Sequence, residues 1–187
     1  MRVLVILAAL ATTASAEPLP SGAIQFTGGM MSGAGADAHR VGYGYMVGAT
    51  ASWQPITTQQ RLGWALRWST LFGASLGNAD AARIDTLRTV LIDLTIGIRV
   101  RPWSEPGRYL TLRGGAELFR SNQEIEPSND RVFAGPVMSA GFDQSSKWWL
   151  CSLNSTGCLF SLDVRYGLIS NGPEQVSLVL SVGLAGP

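Results

Sequence analysis

The stretch Arg88-Thr89-Val90-Leu91-Ile92-Asp93-Leu94-Thr95-Ile96-Gly97-Ile98-Arg99-Val100-Arg101-Pro102 alternates along its length. Val90, Ile92, Leu94, Ile96, Ile98 and Val100 fall on one face, and Leu91, Asp93, Thr95, Gly97, Arg99 and Arg101 on the other. A strict period of two is the signature of a β-strand, because successive side chains point to opposite faces of the sheet. A soluble strand usually has ~5–6 residues. This one is about twice as long, which suits a tilted strand crossing a membrane. Its second face carries small residues, an aspartate and arginines but no lysine. Such a face suits the inside of a narrow barrel better than open water.

The same alternation recurs on both sides. Over 41–53, Val41, Tyr43, Tyr45, Val47, Ala49, Ala51 and Trp53 oppose Gly42, Gly44, Met46, Gly48, Thr50 and Ser52. From Leu62 onward, Leu62, Trp64, Leu66, Trp68 and Phe72 oppose Gly63, Ala65, Arg67, Ser69 and Gly73. Three more strands are read over 109–119, 158–168 and 176–184. Two weaker ones are read at 23–31 and 132–142, the last interrupted by Pro136, which cannot donate to a ladder. The expectation is therefore all-β: an up-and-down antiparallel transmembrane barrel of about eight strands.

The connections form a second pattern. With the first strand leaving the periplasm, the inner turns are 54–60, 103–107 and 143–157. The aromatics Trp53, Trp64, Trp103, Tyr109, Trp148 and Trp149 flank these turns and are expected at the membrane interface, while Trp68 stands apart. Tyr43, Phe72, Phe119, Phe133 and Tyr166 lie near the opposite ends. Two aromatic belts are what a membrane-spanning barrel requires. The outer loops are expected at 32–40, 73–86, 120–131 and 170–174, all rich in turn-forming residues.

Composition agrees. Charged residues make up 14% of the chain, against ~25% in a typical soluble domain. The formal net charge of +1 gives no electrostatic case for nucleic acid. Lys147 is the only lysine. Residues 1–16 read as a secretory signal, with Arg2, an apolar run over 3–11 and an Ala14-Ser15-Ala16 cleavage pattern, so 17–187 is expected as the exported barrel domain. Cys151 and Cys158, close together in an exported chain, are expected to form a disulfide. They lack a neighbouring histidine and make no zinc site; no metal and no cofactor is expected.

The pattern resembles the small eight-stranded outer-membrane barrels, the class that includes the OmpA transmembrane domain and OmpX. The resemblance is architectural and covers the whole chain after the signal. It implies residence in the outer membrane of a Gram-negative bacterium, with outer-membrane lipid as the constant partner.

An eight-stranded interior is just wide enough to be filled by side chains. The inward set Arg67, Asp93, Arg99, Arg113, Glu117, Asp163 and Arg165 carries both signs. Buried charges are costly unless paired, so an Arg–carboxylate network closing the lumen is expected. The role implied is structural or interactive, and catalytic residues are none. A narrow conducting channel is the first alternative. A lipid A-modifying enzyme built on Ser32, Asp37 and His39 is the second, against which a lone loop histidine is ordinarily just solvated. A soluble periplasmic barrel of lipocalin type, with its apolar faces turned inward around a ligand, is the third. The segment Lys147-Trp148-Trp149-Leu150 before the cysteines reads as an interfacial anchor, or as a docking site for a periplasmic protein; a surface protein partner for the outer loops is also open.

Overall fold

The computed structural model describes residues 22–35, 42–53, 61–80, 83–104, 107–123, 131–146, 157–168 and 174–186. The strands run β1 Gly22–Ala34, β2 Tyr43–Trp53, β3 Leu62–Asp80, β4 Arg83–Val100, β5 Arg108–Gln123, β6 Arg131–Ser146, β7 Cys158–Gly167 and β8 Glu174–Gly186. Each pairs antiparallel with its sequence neighbour, and β1 pairs with β8, so the sheet closes into a barrel in the order of the chain. Residues 1–21, which hold the expected signal segment, lie outside the described residues, as do Asp37, His39, Arg40, Trp148, Trp149 and Cys151.

The alternation becomes an inside and an outside. On β4, Ile92, Leu94, Ile96, Ile98 and Val100 are exposed while Leu91, Asp93, Thr95 and Arg99 are buried. The same holds on β1, where Ile24, Phe26 and Met30 face out and Gln25, Thr27 and Met31 face in. This is the reverse of the lipocalin-type alternative, which would have turned the apolar faces inward.

Two boundaries differ from the sequence reading. The segment 73–86, expected as a loop, is mostly strand: β3 reaches 19 residues and β4 reaches 18. Glycine and aspartate in that segment suggested a turn, yet the hairpin ladder continues through Gly77↔Asp85 and, past an irregularity, Asp80↔Arg83. Likewise β6 continues to Ser146, which takes Asp143 out of the expected inner turn and into the barrel wall.

Pro136 interrupts one side of β6 only. Pairing with β5 runs unbroken past Ala116↔Pro136. On the other side, Leu168 N–H donates to Pro136 O at 2.9 Å, but proline has no N–H to return. The β6–β7 register accordingly ends at Val137↔Gly167, and β7 stops there.

Adjacent glycines at 28 and 29 show how tightly the wall is coiled. A Cβ on Gly28, facing out, would meet only Met46 O at 3.8 Å. A Cβ on Gly29, facing in, would strike the Leu178 carbonyl oxygen and come within 3.0 Å of the Val179 Cα. Backbone cannot yield as a flexible side chain can. Gly28→Ala is therefore expected to refold normally, whereas Gly29→Ala costs about 1–3 kcal/mol as an overpacked site does. Urea midpoints of the two variants refolded into vesicles check this; equal midpoints would refute it.

Candidate functional site: the barrel interior

The inward faces of the strands stack in layers. In the middle lies an ionic layer. Asp163 on β7 accepts from two arginines at once, Arg67 on β3 and Arg113 on β5. Arg67 also donates to Ser181 Oγ at 2.9 Å, which links the pair to Thr27 and Thr50 through hydroxyl hydrogen bonds of 2.9 and 2.8 Å. Arg113 lies 3.8 Å from the Asp143 carboxylate and 3.4 Å from Ser139 Oγ. A second group completes the layer: Arg165 Nη2 is 2.7 Å from Asp93 Oδ2 and 3.5 Å from Glu117 Oε2. Gln175 donates to the other Glu117 oxygen at 2.7 Å. All these charged side chains are buried.

Small residues make room for them. A Cβ on Gly141, directly across from Asp163, would run into the Asp163 carboxylate, and one on Gly167 would run into that of Glu117.

Apolar layers flank the ionic one. Toward the ends of the β3–β4 and β5–β6 hairpins, Met31, Met46, Leu71, Leu91, Phe119 and Val179 form a buried cluster, with Phe133 packed against it. These residues come from every strand except β7. Phe119 and Phe133 stack with centroids 6.5 Å apart. At the other end, Ala23, Tyr109 and Leu159 form a smaller cluster. There the Arg99 guanidinium lies 4.1 Å above the Tyr109 ring, a cation–π arrangement of the kind that gains strength when desolvated. Gln25 donates to Ser161 Oγ at 3.0 Å and to Leu159 O at 3.3 Å beside it.

Three aromatics expected at the membrane interface are inside instead. Tyr109 and Phe119 are almost fully buried, and Phe133 is partly buried against Phe119. The reason is register: Tyr109 and Phe119 share the odd-numbered, inward face of β5 with Arg113 and Glu117. Closeness to the end of a strand does not turn a side chain outward. Trp53, Trp64 and Trp103 do face outward, at the end where β2 finishes and β3 begins. Trp53 meets Trp64 edge-on at 5.0 Å, and Trp103 meets Phe142 edge-on at 5.8 Å. Trp68 is exposed in mid-wall. Cys158 opens β7 and is buried.

Sequence reasoning missed Asp143 because the residue was assigned to a turn. Its odd number, in step with Val137 and Ser139, was the available signal. The apolar layer was missed too. Met31, Met46, Leu91 and Val179 lie on the faces that otherwise carry small and polar groups, and read singly they look like exceptions.

An apolar exterior around a paired, charged interior suits lipid and not water. No protein-family model matches the chain, and no curated protein matches it. Solved structures do resemble it. Ail, the attachment invasion locus protein of Yersinia pestis, superposes with a TM-score of 0.56 at 12% identity, over 89% of this chain and 98% of Ail. Ail in complex with the heparin analogue sucrose octasulfate gives 0.51 at 10% identity, over 88% and 98%. Neisserial surface protein A gives 0.54 at 10% identity, over 91% and 100%. The fold is that of the eight-stranded outer-membrane barrels.

The shared acceptor makes Asp163 the sensitive member of the ionic layer. Asp163→Ala leaves Arg67 and Arg113 buried without their common partner, and breaking a buried pair in this way costs about 3–5 kcal/mol. Glu117→Gln keeps an acceptor for Gln175 and leaves Asp93 facing Arg165, so its cost is smaller. Urea midpoints of the refolded variants read the order; a Glu117→Gln effect equal to that of Asp163→Ala would refute it.

Proposed function

We propose that this chain is an exported protein of the Gram-negative outer membrane whose barrel is closed to ions and serves as a rigid platform for surface interaction. One observation carries this reading: the ionic layer of Arg67, Arg113, Arg165, Asp93, Glu117, Asp143 and Asp163 lies between two apolar layers. A hydrated ion crossing it would have to break paired charges and then enter an apolar constriction. Pores wide enough for free passage are built from 16–18 strands. The names of the similar structures, an attachment protein and a surface protein, fit a role at the cell surface.

The segment 1–16 acts as a secretory signal cleaved after Ala16. Cys151 and Cys158 form a disulfide that closes the segment between β6 and β7, in keeping with the absence of a free cysteine among the described residues. Trp53, Trp64 and Trp103 anchor the barrel at the periplasmic interface together with Trp148 and Trp149. The interaction surface lies at the opposite end, where β3 and β4 extend furthest.

Planar-bilayer recording tests the closed state. The refolded protein is expected to give no stable conductance steps, and Phe119→Ala alone is expected to leave it silent because the ionic layer remains. Stable unitary steps from the unaltered protein would overturn the reading in favour of a narrow channel. Localisation is tested separately, by recovery in the outer-membrane fraction and a mobility difference between unheated and boiled samples.

A further inference from the structure

Tryptophan belongs at the membrane interface, where its ring finds apolar surroundings and its N–H meets water or headgroups. Trp53 and Trp64 obey this rule at one end of β2 and β3. Trp68 does not. It lies four residues beyond Trp64 on the same outward face of β3 and is 54% exposed. At ~3.3 Å per residue and a tilt of ~40°, that interval carries it roughly 10 Å into the hydrocarbon. Thr70, the next outward residue, brings a partly exposed hydroxyl-bearing side chain deeper still.

Beside Trp68 the wall is hollow. Ala51 pairs with Trp68 and Ala49 with Thr70, so the outward face of β2 offers only methyl groups at this depth. On the other side of β2, Ile24 pairs with Ala51 and Phe26 with Ala49. Ile24 and Phe26 are 73% and 69% exposed, whereas no large apolar residue of β4 exceeds 59%. They stand proud because the alanines beside them cover little. The result is a groove along β2, floored by Ala49 and Ala51 and walled by Phe26 on one side and Trp68 on the other. Its walls rise from strands roughly 10 Å apart, twice the spacing of neighbouring strands, which leaves room for one aromatic side chain.

We infer that this face pairs two copies of the chain within the membrane, resting on the outer-membrane reading above. Exported copies share one orientation across the bilayer, so a closed pair is related by a two-fold axis along the membrane normal. Such an axis brings together residues of nearly equal depth. Directly paired residues on neighbouring strands meet that condition, and the ridge Trp68 and the floor Ala51 are such a pair. An axis between β2 and β3 therefore lays Trp68 of each copy into the Ala49–Ala51 groove of the other. Knob and hollow lie on one face at one depth, which is the self-complementarity that a second copy requires. In lipid, association gains from the close approach that small residues permit and from polar contacts shielded from hydrocarbon. The Trp68 indole and the Thr70 hydroxyl supply the second of these.

Sedimentation equilibrium of the full chain in density-matched detergent tests this. The unaltered protein is expected at twice its monomer mass. Trp68→Ala, and separately Ala49→Leu with Ala51→Leu to fill the groove, should each raise the dimer dissociation constant at least about tenfold. Val164→Ala, outward on β7 across the barrel, should leave it unchanged. A monomer at every protein-to-detergent ratio, or a dimer indifferent to the groove variants, overturns the pairing. Fluorescence in vesicles of brominated phosphatidylcholine separates a lipid occupant. Taken as the difference from Trp68→Phe, Trp68 emission should be quenched less in the unaltered chain than in the groove-filled one. Equal quenching in both would give the groove to an acyl chain and overturn the second copy. The heat-dependent mobility shift of each variant reports folding separately. Loss of that shift in the unaltered chain would instead refute the membrane reading, and the pairing with it.

Discussion

In hydrocarbon an unpaired backbone N–H or C=O finds no water to take its place, and each such group costs several kcal/mol. The pairing of β1 with β8, from Gly22↔Gly186 to Ala34↔Glu174, removes the two edges that an open sheet would expose. Once the ring closes with eight strands, its bore is set by strand number and tilt. A bore of that size is just wide enough for side chains to fill. Inward polar groups must then find most of their partners among other inward side chains, and the distribution of Gly29, Gly141 and Gly167 follows from the same crowding.

The ionic layer answers that requirement by sharing. Asp163 serves two arginines, and Arg165 faces two carboxylates. A single buried pair roughly breaks even against its desolvation, so such a network is weak evidence for stability as a whole. Its stronger consequence is for register. A one-residue slip of any strand from β3 to β7 would turn its charged groups toward lipid. Charge at the lipid midplane costs about 2–4 kcal/mol per residue. The apolar layers add dry packing on each side, where Phe119, Phe133 and the methionines fill the irregular gaps that a ring of eight strands leaves.

Much of this was legible in the sequence, because alternation reports directly on which face a residue occupies. Arg67, Asp93, Arg113, Glu117, Asp163 and Arg165 could be placed inside on parity alone, but parity does not say which carboxylate meets which arginine. That depends on the tilt, which brings Arg67 of β3 across the bore to Asp163 of β7. Misplacements arose where position along the strand was allowed to outweigh parity. Tyr109, Phe119 and Phe133 lie near strand ends and were assigned to the belts for that reason, although their numbering put them inside. Asp143 was lost in the same way. The long β3–β4 hairpin was hidden for another reason: beyond the bilayer no lipid face imposes an apolar pattern, so Gly77, Asn78, Asp80 and Asp85 read as a loop.

That hairpin changes where the outer surface begins. The β2–β3 register starts at Tyr43↔Leu76, and the β4–β5 register starts at Leu87↔Gln123. Above those points, among the described residues, β3 and β4 pair only with each other, through Gly77↔Asp85 to Asp80↔Arg83. A two-stranded ribbon is only marginally stable by itself. Here it is the direct continuation of two wall strands, so its register is already fixed where it leaves the ring and little further chain entropy is lost in extending it. The register irregularity between Gly77 and Asp80 adds local twist at its tip. Among the described residues, β3 and β4 thus carry the wall on past the ring as one projecting ribbon.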